Sequence, residues 1–481
     1  HPFLHGPDGT TWTRAAFDQL AENIATRLWA CGARPGERVT AFVEKSPQAF
    51  ATYLACQYAG YVYHPANIGY TDAEMQFLLG DAKPKVLVCD PSRAEALAQF
   101  TDAQQLTLDA SGQGSLLEFD GEAERYAPYE ASSDDWAALL YTSGTTGKPK
   151  GAILSQNNLL SNALTLLDIW RITEQDRLLH VLPIFHTHGL FVAGNTSLCS
   201  GCEILFENSF NIDAVFSRLP SATTFMGVPT HYGRLLNDAR LNKETTKNMR
   251  LFISGSAPLD AVASDTFYAL TGHRALERYG MTETNMLVSN PYEDDRVAGS
   301  VGLPLPGVTL RIRKDDGTLA KQGEVGIVEV QGPNVCRGYF GLEQKTKEAF
   351  AKDGFFITGD LGSFDERGYL TLSGRQSDMI ISGGFNVYPR EVENALLDQA
   401  GIKEAAAFGI PHPDFGEGVT AAVVTDGTAI DVTELIAGVK AVLAAYKVPK
   451  HIVILDELPK NAMGKVDRKL MKAEYATLYQ Q

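Results

Sequence analysis

The stretch Tyr141–Gly151 reads YTSGTTGKPKG and runs on from the apolar segment WAALLYTS, Trp136–Ser143. It packs four Gly or Pro breakers, three threonines, one serine and two lysines into eleven residues. Glycines let backbone N–H groups close on an anion without interference from a Cβ, hydroxyls add donors and lysines add charge, which together make an anion-binding nest. An ordinary polar turn uses the same residue types, usually over three or four positions. The candidate phosphate contacts are Thr142, Ser143, Gly144, Thr145, Thr146, Gly147 and Lys148. This is not a Walker A loop, which needs G-x-x-x-x-G-K-[ST]: the position five before Gly147 is Thr142, and Lys148 is followed by Pro149. Nucleotide chemistry built on that loop is therefore disfavoured.

Outward from this stretch, helical and extended patterns alternate. AAFDQLAENIATRLWACG has helical spacing and stops at Gly32, RVTAFV reads as a strand, QAFATYLACQYAG precedes VYHPA, and EMQFLLGDA precedes KVLVCD. Such alternation predicts an α/β fold with layered sheets flanked by helices. Residues 92–135 are polar and poorly periodic and read as a connection. After the glycine-rich stretch comes the helix candidate QNNLLSNALTLLDIW, whose N-terminal dipole is available to a phosphate. RLLHVLPIFHTHGL reads as a strand ending in His186 and His188. Two apart on a strand, they would share a face as a metal pair does, but no third ligand follows and hydrogen-bonded loop histidines are the commoner case.

At 481 residues the chain exceeds one hydrophobic core and predicts two to four compact units. Its 42 Lys+Arg against 58 Asp+Glu give a net charge of −16, which opposes nonspecific attraction to nucleic acid and anionic membranes. No apolar run reaches the length of a membrane span. Six cysteines at 31, 56, 89, 199, 202 and 336 lie mostly in apolar or mixed segments, as reduced thiols do. The expected compartment is the cytoplasm, with a mitochondrial or plastid matrix left open because the sequence lacks an initiator Met. Oligomeric state is not legible.

Four further segments carry chemistry. MRLFISGSAPLD ends a strand in a Gly/Ser turn, the place where open α/β sheets bind ligands. ERYGMTETN, Glu277–Asn285, offers the aromatic face of Tyr279, the hydroxyl of Thr282 and the carboxylate of Glu283, suited to Mg²⁺ against a polyphosphate. Beyond it lie GFFITGDLGSFDERGYLTLSGRQSDMIISGGFNVYPREVE and LPKNAMGKVDRKL. Together these segments and the glycine-rich stretch resemble the acyl-adenylate-forming enzymes, a family of acyl-CoA synthetases, luciferases and adenylation domains. The resemblance covers nearly the whole chain.

The resemblance implies a large N-terminal AMP-binding domain, residues 1–376, and a small mobile α+β C-terminal lid, residues 377–481. It implies ATP, Mg²⁺ and coenzyme A as the cofactor and cosubstrates of an acid–thiol ligase. Gly255, Ser256, Ala257, Tyr279, Gly280, Met281 and Thr282 fall at its adenylate-contacting positions, Glu283 at its metal-holding and catalytic position, and Asp360 and Arg375 at its ribose and phosphate contacts. His186 stands at the histidine of its P-x-x-H-x-x-G segment, on the acyl side, Gly383 and Gly384 on its CoA-facing turn, and Lys465 at its catalytic lysine. The hinge position falls on Ser377, where Lys or Asp is usual, a departure that leaves rotation in place but not a charged hinge.

The acid is addressed by Arg278. Many relatives carry an uncharged residue before the Tyr-Gly of this motif, at the floor of the acyl pocket. A buried guanidinium calls for an anion. That anion is either an internal acid such as Glu277 or a second carboxylate on the substrate, with Arg234 as another contact and a small dicarboxylic acid as the partner. The strings VLPIFHTHGLFV, FISGSAPL, LERYGMTETNM and SGGFNVYP resemble the malonate-activating branch of the family more than its long-chain or aryl branches, which implies malonate, with methylmalonate as a second acid; the alternatives are a CoA ligase for another small or aryl acid, or a stand-alone enzyme that loads a carrier protein.

Overall fold

The computed structural model describes residues 1–119, 124–142, 149–461 and 465–480. By internal contacts the chain forms two compact units: His1–Leu310 with Val330–Phe356, and Arg311–Glu329 with Ile357–Gln481. Contacts thus group Asp360 and Arg375 with the C-terminal residues, whereas the sequence places the break at 376/377.

In the first unit the alternating pattern forms as read. Helix Arg14–Ala30 starts at Thr13, whose hydroxyl accepts from Ala16 N, and buries Phe17, Leu20, Ile24 and Leu28 along one stripe. Helix Pro47–Ala59 is capped by Ser46, takes its proline in the first turn and ends at Gly60 with φ 69°. A six-stranded sheet runs in the order Gln104–Thr107, Val86–Cys89, Arg38–Phe42, Val62–Pro65, Trp136–Thr142 and Lys150–Ser155. Its first strand lies inside the supposed connection 92–135, where a short, mostly polar edge strand leaves no periodic signal.

Trp136–Thr142 and Lys150–Ser155 pair antiparallel with Thr142 opposite Lys150. Ser143, Gly144, Thr145, Thr146, Gly147 and Lys148 lie outside the described residues. Helix Gln156–Trp170 follows the returning strand, not the glycine-rich stretch itself. Six extended residues, about 20 Å of chain, separate its N-terminus from Lys150's end, so the expected dipole contribution to phosphate binding does not follow.

The second sheet, nine-stranded, positions the site. At its centre Glu203–Phe206, Arg177–His180, Thr224–Gly227, Leu251–Ser254 and Leu276–Met281 lie side by side, all parallel. Their near-continuous apolar character fits strands covered on both faces, with Phe225, Phe252, Tyr232 and Phe267 in one core cluster and Trp170, Leu178, Ile253 and Leu276 in another. The strand read over RLLHVLPIFHTHGL ends at His180; His188–Gly194 is a π-helical turn leading into helix Asn195–Ser200. His186 and His188 therefore do not share a strand face.

In the second unit, Phe356–Phe364 and Leu370–Arg375 pair antiparallel. A separate sheet joins the long hairpin Ile402–His412 and Gly416–Thr425 to Ile380–Ser382, Phe385–Val387 and the parallel edge strand His451–Ile454. Helices Pro389–Leu397 and Val432–Val442 supply Val392, Leu396 and Val439 to its core.

Candidate active site

Parallel strands deliver their carboxyl ends to one edge, and in open α/β sheets ligands bind there. Arg177–His180 leads to His186 and His188, Thr224–Gly227 to helix Pro229–Leu236 with His231 and Arg234, Leu251–Ser254 to Gly255 and Ser256, and Leu276–Met281 carries Arg278.

Arg278 is 4% exposed, and its Nε and Nη2 are buried without a hydrogen-bond partner. Its guanidinium lies against the bare Cα of Gly255, where a Cβ would come within 2.3 Å of Cζ. The internal-pair alternative is not realised: among the described residues no carboxylate is bonded to Arg278. Strand alternation sends Glu277 to the opposite face, where its carboxylate accepts from Leu259 N at 3.2 Å and Gly299 N at 3.3 Å. Burial lowers the Arg278 guanidinium to about 9, still charged at neutral pH.

Further unsatisfied polar atoms lie on the same strand ends. His188 is buried; its Nδ1 lies 3.3 Å from Ser256 Oγ, and its Nε2 has no partner. Thr187 Oγ1, Ser254 Oγ and His231 Nδ1 are likewise buried and unpaired. Burial, then Arg278 and the neighbouring histidines His186, His231 and His180, hold His188 well below the ordinary histidine range, so it stays a neutral imidazole. Burial also drives His231 down to about 3, with its ring stacked on Phe210 at 4.2 Å. Ser256 adopts φ 69°, a strained turn beside the guanidinium. These hydroxyls and neutral imidazoles can donate to an anion, as can the Arg278 guanidinium. His186 is half-buried, its Nδ1 accepting from His188 N at 3.3 Å. Arg234 is exposed, with its guanidinium 5.6 Å from the Phe210 ring centroid.

On the other side of the same hairpin, Glu283 sits in the turn between Leu276–Met281 and Asn285–Ser289. It is buried, its Oε1 accepts from Tyr339 OH at 3.0 Å, and Thr142 Oγ1 lies 3.5 Å from the same oxygen. The last described residue before the glycine-rich stretch thus meets the predicted metal carboxylate. A buried carboxylate among hydroxyls is an oxygen donor set suited to Mg²⁺. Tyr279 is 7% exposed, Gly280, Met281 and Thr282 are half-buried, and Ala257 is exposed.

The second unit carries the remaining predicted residues. Asp360 faces Arg375 across the strand pair, with Arg375 Nε 3.1 Å from Asp360 Oδ1. Gly383 and Gly384 form the two-residue turn between Ile380–Ser382 and Phe385–Val387, with φ 60° and 83°, a hairpin geometry that side chains rarely adopt. Ser377 is exposed, as is Lys465, whose N–H donates to Asn461 Oδ1 at 3.1 Å.

Residues 1–340 match the AMP-binding enzyme family, and residues 391–465 match the AMP-binding enzyme C-terminal domain. The chain belongs to this family. It is 33% identical to malonate–CoA ligase of Arabidopsis thaliana, over 92% of this chain and 78% of that protein. It is 34% identical to feruloyl-CoA synthase of Amycolatopsis sp., over 96% of this chain and 93% of that protein. The crystal structure of ATP-bound MatB from Rhodopseudomonas palustris matches with a TM-score of 0.97 and 48% identity, covering 99% of this chain and 96% of that one.

Proposed function

We propose that the chain is an ATP-dependent malonate–CoA ligase, forming malonyl-CoA, AMP and diphosphate, with methylmalonate as a second acid. The curated relatives at 33–34% identity are named for quite different acids, so those names alone do not choose the substrate. The choice rests on one observation: a buried, charged Arg278 with two unpaired N–H positions and no carboxylate bonded to it among the described residues. A second carboxylate supplies the missing acceptors; a monocarboxylate leaves the cation buried and unmet.

The reaction divides into two displacements. A malonate carboxylate oxygen attacks the α-phosphorus of ATP, the bond to the β-phosphate oxygen breaks, and diphosphate leaves. The thiol of coenzyme A then attacks the acyl carbon, loses its proton, and AMP leaves. Mg²⁺ held at Glu283 would neutralise the leaving diphosphate. Arg278, with neutral His188 and Ser256, orients malonate by the carboxylate that does not react, so catalysis here is positioning and charge stabilisation. On the family resemblance we assign the diphosphate grip to Thr142–Lys148, ribose contact to Asp360 and Arg375, the CoA-side turn to Gly383 and Gly384, and the adenylation lysine to Lys465. The same resemblance makes 376/377, at Ser377, the functional domain boundary.

No helix among the described residues is long and apolar enough to cross a membrane; a cytoplasmic location is proposed on the six free thiols. The test of the function is diphosphate release across a panel of acids. Malonate should exceed butyrate and ferulate in kcat/KM by at least tenfold, and a preference for either monocarboxylate would overturn the reading.

A further inference from the structure

A second buried basic side chain is Lys45, whose ammonium form burial disfavours, holding it well below the ordinary lysine range. Lys45 is 6% exposed and stands just before helix Pro47–Ala59, whose positive N-terminal dipole disfavours it. Among the described residues it has no carboxylate partner. Its Nζ lies 3.0 Å from His180 Nδ1, donates to His180 O at 2.8 Å, and sits 4.3 Å from the Phe206 ring centroid. Glu207 acts on it only from a distance and is itself bound to Arg218 at 3.0 Å.

The hydrogen bonds fix the tautomer of His180. Its Nε2 lies 2.9 Å from Gly189 O, which only accepts, so Nε2 carries the proton. In the neutral ring Nδ1 is then an acceptor, and Lys45 must be its donor. Burial and the Lys45 charge both disfavour an imidazolium at His180. Gly189 is the second residue of the π-helical turn His188–Gly194, and a Cβ there would meet Pro183 O at 2.0 Å. The carbonyl that His180 holds is therefore adjacent to His188, on a turn that packs directly against the Pro183 backbone. Lys45 also acts electrostatically on His231, which acts in turn on His188.

Given the dicarboxylate reading of Arg278, we infer that Lys45 and His180 are positioning residues for acid selection: Lys45 donates to His180, His180 donates to Gly189, and this relay seats His188 against Arg278. A purely structural lysine would tie the end of Arg38–Phe42 to Arg177–His180 and would affect every substrate alike.

The variants are Lys45→Met, Lys45→Arg, His180→Phe and His180→Gln, measured beside Arg278→Met with malonate and with butyrate by diphosphate release. Glutamine offers an acceptor to Lys45 and a donor to Gly189, so it replaces the imidazole bond for bond. Lys45→Met and His180→Phe should each raise KM for malonate about tenfold or more, the scale seen for partners that orient a liganding imidazole. Their kcat should change little and their effect on butyrate should be smaller. His180→Gln and Lys45→Arg should recover most of the malonate KM. Equal losses on both acids, a loss confined to kcat, or no loss would overturn the relay. If Lys45→Met does not fold, the His180→Phe and His180→Gln pair decides, and equal behaviour of the two overturns it. Should Arg278→Met be selective for malonate while the Lys45 and His180 variants are not, the relay falls and the dicarboxylate reading stands. Should Arg278→Met itself affect both acids equally, both fall.

Discussion

Arg278→Met separates the two acids. The substitution keeps much of the side-chain volume and removes the charge together with its unpaired N–H groups. In the malonate complex the second carboxylate would then be buried without its cation, and breaking a buried pair in this way costs about 3–5 kcal/mol. At about 1.4 kcal/mol per decade, this corresponds to roughly a 10²- to 4 × 10³-fold loss in kcat/KM. His188 and Ser256 remain as neutral donors, which favours the lower end. Butyrate has no second carboxylate, so its kcat/KM should hold or rise, because a desolvated cation with no partner has been removed. The unliganded protein gives an independent check. Replacing a buried, unpaired charge with a packed apolar group is commonly neutral or stabilising, so the variant should melt no lower than the parent. Parallel losses on both acids, or a clear drop in melting temperature, would refute the reasoning.

Gly255→Ala places a methyl 2.3 Å from Arg278 Cζ and 2.6 Å from Nε, so the guanidinium must leave its seat; KM for malonate should rise far more than KM for ATP, and the reverse order would count against the placement. Tyr339→Phe removes the 3.0 Å bond to Glu283, and a titration of rate against Mg²⁺ should shift to about tenfold higher concentration, the size of a typical lost outer-shell bond. Lys465→Ala should lower ATP–diphosphate exchange by about 10²- to 10³-fold, the scale of one lost charge-stabilising donor, while thiolysis of supplied malonyl adenylate stays within a few-fold.

What could be read from the sequence was local and periodic. Helices Arg14–Ala30, Pro47–Ala59 and Gln156–Trp170 carry their caps and apolar stripes in consecutive residues, and the parallel strands are short apolar runs. The strand Lys150–Ser155 escaped because its turn is glycine-rich and its own first residues, Lys150 and Gly151, look like loop. The motifs named Arg278, Gly255 and Glu283, each within a contiguous signature. Tyr339 bonds Glu283 from 56 positions away and Lys45 meets His180 from 135 positions away, and no spacing rule connects such pairs. His188 was visible as half of an H-x-H pair, but a strand reading gave it the wrong neighbours. The π-helical turn turns it toward Ser256, and that conformation leaves no periodic trace.

The acid end of this site violates the rule that buried polar groups are paired, and does so several times within one cluster. Each unmet donor costs about 1–3 kcal/mol, so a fold that keeps Arg278, His188, His231, Ser254 and Thr187 unsatisfied gives up stability that apolar residues at the same positions would return. Random imperfection would scatter such atoms through the core. Among the described residues nine side chains carry such atoms, and five of them, Thr187, His188, His231, Ser254 and Arg278, lie on or just beyond the strands Arg177–His180, Thr224–Gly227, Leu251–Ser254 and Leu276–Met281, while Trp29, His64, Asn285 and Asn334 lie elsewhere. An unmet guanidinium together with hydroxyls and neutral imidazoles that can donate would be satisfied by an anion with several acceptor oxygens. A substrate carboxylate has that chemistry, and it arrives only when the enzyme is ready to use it.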